Sequence, residues 1–223
     1  MKECKISINQ FANFSKSTKK GKKGIITRQL SPDLFRVPWY QLTKAKVKKS
    51  LEYKGDLQPI FDGINILKNR IPDTDRKKRD RQVSLEALER FVELQIPHYF
   101  KQLDFEVIKP KEKNLQFENV NFIISPDLVI KGNYKGKTIY GGVKIHISKS
   151  KPFDLQQSKL VSHLIYEYLK NEVAEHPSQV LPEFCLSIDV FGNRIVSADE
   201  TDKTIEEEIK ALCSEIKDLW EAA

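Results

Sequence analysis

The chain has 223 residues, 39% of them hydrophobic and 31% charged, and a formal net charge of +7. That length suits one sizeable domain, or one domain with a helical extension. There is no apolar run of transmembrane length, the opening MKECKISINQFANF is not a secretory leader, and the cysteines (Cys4, Cys185, Cys213) form no CxxC pair, which points to reduced thiols in a cytoplasmic protein with no membrane contact. His98, His146, His163 and His176 show no zinc-site spacing with cysteine.

The charge is unevenly placed. Residues 1–82 hold 21 Lys and Arg against 8 Asp and Glu, whereas residues 83–223 hold 17 against 23. A basic first part points to an anionic partner, nucleic acid and DNA above all, against the plainer reading of a solvated surface without a ligand. The same boundary divides a basic, mostly helical N-terminal region (1–82) from an α/β core (83–223).

In chain order, Asn9 to Phe14 begins a short apolar segment. Lys16 to Arg28 carries two glycines and a string of like charges, so no regular helix is expected there. Pro38 suits the first position of a helix through WYQLTKAKVKKSL. From Leu57, the residues Ile60, Phe61, Ile64 and Leu67 share one helical face. Asp75 to Arg81 (DRKKRDR) has the composition of a charged linker. Candidate phosphate contacts are Lys16, Lys19, Lys20, Lys22, Lys23 and Arg28 in the first basic stretch, and Arg76, Lys77, Lys78, Arg79 and Arg81 in the second.

Ser84 is the expected cap of a helix bearing Leu85, Leu88, Phe91 and Val92, which Pro97 ends or kinks. Phe105 to Ile108 and Val120 to Ile130 are expected strands. GNYKG (Gly132 to Gly136) is a hairpin turn leading to a third strand, Thr138 to Ser148, in which Val143, Ile145 and Ile147 alternate with Lys144, His146 and Ser148. A helix from Leu155 to Glu172 and a fourth strand from Leu181 to Phe191 follow. The last helix runs from Thr204 to Trp220, with Thr204 and Glu207 as a capping box. The order combines an antiparallel meander with a crossover helix, so the predicted fold is α/β with a mixed four-stranded sheet flanked by helices.

Pro126–Asp127 falls in the second of these strands and Lys144 in the third, and a hairpin makes the two residues neighbours. An αβββαβ order with these residues in these strands resembles the PD-(D/E)XK nuclease superfamily, the restriction-endonuclease-like and RecB-like core, from about Ser84 to Phe191. The resemblance implies that Asp127 and a second acid bind Mg²⁺ or Mn²⁺ and that Lys144 positions the attacking water. Magnesium wants oxygen ligands and lowers the pKa of a bound water; lysine is a point charge suited to phosphate.

The acid–x–lysine triplet here reads Gly142–Val143–Lys144, and Gly142 offers no ligand. Some members draw the missing acid from the following helix, where this chain has Gln156 and Gln157; Gln157 with Tyr166 is similar to a RecB-like pattern. A glutamate on the first core helix is another family feature, for which Glu86, Glu89 and Glu93 are candidates. Without the resemblance, Asp127 is a solvent-facing residue at a strand bend, Lys144 an exposed strand lysine and Gln157 a polar helix-surface residue. His146, on the Lys144 face, is a candidate phosphate contact or proton carrier, and His163 a half-buried structural residue.

The expectation is a nuclease-like protein with an incomplete metal site that acts on or binds DNA, as a subunit of a larger bacterial DNA-processing or defence assembly. The alternatives are a non-catalytic protein-interaction subunit, and an active Mg²⁺-dependent nuclease with a displaced acid.

Overall fold

The computed structural model describes residues 3–31 and 39–222; Pro38 lies outside the described residues. The elements in chain order are β1 (Lys5–Ser7), α1 (Ile8–Ser15), α2 (Lys19–Leu30), α3 (Gln41–Glu52), α4 (Gln58–Asn69), α5 (Asp75–Glu93), α6 (His98–Gln102), β2 (Asp104–Val107), β3 (Asn114–Phe117) and β4 (Val120–Ile123). There follow β5 (Leu128–Tyr134), β6 (Lys137–His146), α7 (Leu155–Glu172), β7 (Val180–Asp189), β8 (Arg194–Ser197) and α8 (Thr204–Glu221). The protein is mixed α/β. Its main sheet has the order β2-β5-β6-β7-β8. β5 is antiparallel to β2 and to β6, β7 runs parallel to β6 across the α7 connection, and β8 is antiparallel to β7. β1, β4 and β3 form a second, smaller sheet.

Strand alternation sends side chains of the main sheet to two separate cores. Val129, Tyr140 and Cys185 join α7, α8, α1 and the small sheet in one core. Leu128, Ile130, Ile139, Val143, Phe184 and Leu186 join α3 to α6 in the other. Both cores draw on residues before and after position 82, which itself lies inside α5. The expected division at residue 82 is therefore not a division of the packing.

Two basic stretches differ from the sequence expectation for the same reason. Lys19–Leu30 is a helix despite its glycines and like charges. Thr18 caps it by accepting from the Gly21 N–H, and Ile25 and Ile26 are buried. Lys22 lies over the Phe14 ring and pairs with Glu215 of α8. DRKKRDR is not a linker but the start of α5, capped by Thr74 rather than Ser84. Lys77 pairs with Asp73 and Lys78 with Asp75, which relieves the charge density. Ser84 is buried in mid-helix, where its carbonyl accepts from the Thr43 hydroxyl. In both stretches a threonine cap and partners for the charges offset weak local propensity.

The expected second strand is two strands in different sheets. β4 ends at Ile123 and β5 begins at Leu128; between them Ser125 has a φ of +39° and Pro126 follows. The main sheet has five strands rather than the expected four, β8 being the addition, and β1 and β3 are further unexpected strands that pair with β4. The hairpin turn narrows to Lys135 and Gly136, both at positive φ, with Asn133 Oδ1 accepting from the Gly136 N–H. Ile60 and Leu67 of α4 are buried, but Phe61 is exposed. In α8, Thr204 is the first helical residue and no side chain caps the helix; Asp202 Oδ1 accepts from the Thr204 N–H. α7 has the bounds expected.

The helical state of DRKKRDR is open to test. Arg79 is exposed inside α5. Arg79→Pro should cost about 3 kcal/mol and Arg79→Ala less than about 0.5 kcal/mol in urea unfolding. Two neutral results would mean that this stretch is not helical.

Candidate functional site

Tyr140, Gly142, Lys144 and His146 alternate along β6 onto the face that α7 covers. Leu128 pairs with Val143, so one step outward sets Asp127 opposite Lys144. The chain enters β5 through the 124–127 break, which turns backbone carbonyls toward that face. The Lys144 ammonium donates to the carbonyls of Ile124 (3.0 Å) and Ser125 (2.6 Å). Lys144 is only 8% exposed, not the surface lysine of the plainer reading. Burial pushes its pKa down from 10.5 to about 8, with Asp127 opposing and Lys44 reinforcing the shift.

Asp127 is held from two sides. Its Oδ2 accepts the Ile145 N–H at 2.8 Å, and its Oδ1 pairs with the Lys44 ammonium at 2.8 Å. The side chain is 12% exposed, and Lys44, reaching in from α3, is 43% exposed. A cation from the chain itself thus sits on the oxygen that a metal would need.

Gly142 is where the helix comes closest to the sheet. A Cβ there would lie 2.9 Å from Ile165 Cγ2 and 3.2 Å from Leu169 Cδ1, both on α7. The direction an acid would take is filled by apolar side chains, so the glycine seats the helix.

Gln157 is engaged elsewhere. Its Oε1 accepts the Asp154 N–H at 3.0 Å in a capping box, and its Nε2 donates to the Ala12 carbonyl at 2.7 Å. Gln156 bonds to Glu208. Glu86 pairs with Arg90 at 3.2 Å and with Lys149 at 2.6 Å, and the Lys149 hydrogen bond draws its pKa down. Glu89 and Glu93 are exposed. Tyr166 packs at the margin of the α7 core. Among the described residues no three His, Cys, Asp or Glu side chains are grouped to hold a metal ion. The donors around Asp127 do not fit Mg²⁺ or Mn²⁺, which favour several oxygen ligands.

His146 stacks on Phe153 with ring centroids 3.6 Å apart, and its Nε2 donates to the Lys151 carbonyl at 2.9 Å. Asp189 lies 4.0 Å from the ring. Burial lowers the His146 pKa, outweighing the Lys151 carbonyl and Asp189. His163 is half-buried on α7, its Nε2 lacks a partner, and burial lowers its pKa too.

Beside this polar group, at the end of β6, opens a cleft of about 1040 Å³. Its walls carry Arg28, Lys44, Lys149 and Lys151, the aromatic rings of Trp39 and Tyr40, and, among the described residues, no Asp or Glu. α1 adds the amides of Asn9, Gln10 and Asn13.

Of the basic residues singled out in sequence, Arg28 alone lines the cleft. Lys16 pairs with Asp154, while Lys19, Lys20 and Lys23 are exposed on α2. Arg76 lies over Trp39, and Arg81 donates to the Leu67 and Lys68 carbonyls at the end of α4. Lys44, Lys149 and Lys151 were missed. For the last two, the run SKSK directly after β6 was an available signal; Lys44 had none. No family model and no curated protein matches the sequence of this chain.

The geometry makes two predictions. Gly142→Glu should cost about 3 kcal/mol or more in thermal or urea unfolding and confer no Mg²⁺-dependent cleavage, because its carboxylate meets the apolar side of α7. A stable, cleaving variant would show that the glycine is merely a missing ligand. The second concerns Lys144. Between about pH 8 and 10.5 the unfolded chain keeps the proton that the folded chain has released, so stability from this residue rises with pH. The stability difference between wild type and Lys144→Met should grow in favour of wild type across that window, by at most about 3 kcal/mol. A difference independent of pH would contradict a buried, strained ammonium.

Proposed function

We propose that this chain is a restriction-endonuclease-like protein that binds nucleic acid, DNA in the first instance, through the basic cleft and does not cut it. The fold part of the reading is supported by β2-β5-β6-β7, an antiparallel meander followed by a parallel strand across a helix, with α5 before it. Asp127 opposite Lys144 adds to it. The observation that carries the binding part is the cleft wall, whose described lining holds four cationic side chains and no carboxylate; Arg28 and Lys151 are joined there by Lys44 and Lys149, which also pair with Asp127 and Glu86. Such a surface attracts phosphates through counterion release, and the histidine in it, His146, is held by the Lys151 carbonyl and the Phe153 ring. Asp127, Lys144 and His146 then act as internal ties that shape the wall. The displaced-acid enzyme finds no support in Glu86, which is paired with two cations.

A second reading has its own observation. Phe61 and Ile66 of α4 are exposed, as is Ile71 just after it, at 94%. Apolar exposure of this kind favours a protein partner, which fits a subunit of a larger bacterial DNA-processing or defence assembly.

Fluorescence anisotropy with a labelled oligonucleotide tests the binding. Raising salt from about 50 to about 200 mM should weaken it on the order of 100-fold if four phosphates are contacted. Reversing Arg28 and Lys151 to Glu together should weaken it by about tenfold or more without lowering the melting temperature. Salt-independent binding, or an unaffected double variant, would place the contact elsewhere.

A further inference from the structure

We propose that the cleft takes nucleic acid in single-stranded form, with an unpaired base stacked on Trp39 and the phosphates following Lys44, Lys149 and Lys151. This rests on the nucleic-acid reading above and adds the strand state of the ligand.

Cations alone do not distinguish a single strand from a duplex, since both present phosphates. The aromatic wall does. Trp39 is 40% exposed in a basic cleft, an unfavourable place for an indole that serves the core alone. The Arg76 guanidinium lies over the ring, 5.8 Å from its centroid, and places a further cation beside it. A duplex hides the faces of its bases inside the stack. A single strand exposes them, and base–aromatic stacking is the recurrent device of single-strand binders.

The backbone beside Trp39 is held for this. Tyr40 has a φ of +60°, a conformation that side-chain-bearing residues seldom adopt. Three contacts keep it there. Its N–H donates to Asp80 Oδ1 at 3.0 Å, its ring packs 6.0 Å from that of Phe191, and its hydroxyl accepts the Lys149 N–H at 3.4 Å. Such a conformation persists only where its surroundings hold it, as these contacts do. The last contact also ties the aromatic pair to the loop that carries Lys149 and Lys151. Asn9, Gln10 and Asn13 supply amide donors and acceptors on the wall for the free edge of an unpaired base.

The test uses the full chain and two fluorescent probes, an oligonucleotide of about 12 nucleotides and the blunt duplex of the same sequence, in anisotropy titrations at low salt. The single strand should bind about tenfold tighter than the duplex or better, on the scale of one stacked base. Trp39→Ala should lose about tenfold for the single strand and less than about twofold for the duplex, and Trp39→Phe should keep most of the affinity. A thermal melt checks that both variants are folded. Equal or tighter duplex binding, or unchanged single-strand affinity in Trp39→Ala, overturns the inference and leaves the basic cleft standing. Failure of both probes to bind removes the nucleic-acid reading together with it.

Discussion

Asp127 has two carboxylate oxygens, and the fold engages both. One accepts the Ile145 N–H and so lies along β6; the other faces the Lys44 ammonium from α3. The carboxylate therefore ties a strand of the main sheet to a helix on the far side of the cleft mouth. Removing Lys44 would leave the Asp127 carboxylate, only 12% exposed, without its cation, which is costly. The position of Lys44 in the cleft wall follows from this pair.

The neighbouring polar groups follow the same logic. Lys144 is surrounded by carbonyls that the break between β4 and β5 turns toward it. His146 holds the Lys151 backbone and stacks on Phe153. Gly142 lets α7 settle against the sheet. Together these residues fix strand ends and loops. The loops so fixed carry Lys149, Lys151 and Tyr40, which face outward.

Much of this was legible in the sequence, and the exceptions have physical causes. α7 and the strands flanking it show clear periodicity, so the bounds of α7, those of β6 and β7 to within two residues, and the crossover order could be read. The opposition of Asp127 and Lys144 followed from hairpin geometry alone. The face of residue 142 could be read as well, but not that Ile165 and Leu169 occupy the space before it, because that depends on how closely the helix lies. α2 and the start of α5 were misjudged because their local composition disfavours a helix, while Ile25, Ile26 and the pairs with Asp73 and Asp75 favour one. The Lys44–Asp127 pair joins distant parts of the chain and left no trace in spacing. Gln157 looked like a ligand substitute because a capping residue and a ligand occupy the same first turn of a helix.

The central claim is that Lys44, and not a metal ion, supplies the cation at Asp127. The most direct measurement compares binding of a labelled oligonucleotide to wild type and to Lys44→Ala, each in EDTA and in Mg²⁺, with the DNA then run on a denaturing gel. Wild type should bind in EDTA and no more tightly in Mg²⁺, Lys44→Ala should bind more weakly than wild type in each buffer, and every strand should remain intact. Binding by wild type that appears only with Mg²⁺, or cleavage that disappears in Asp127→Ala, would contradict the account.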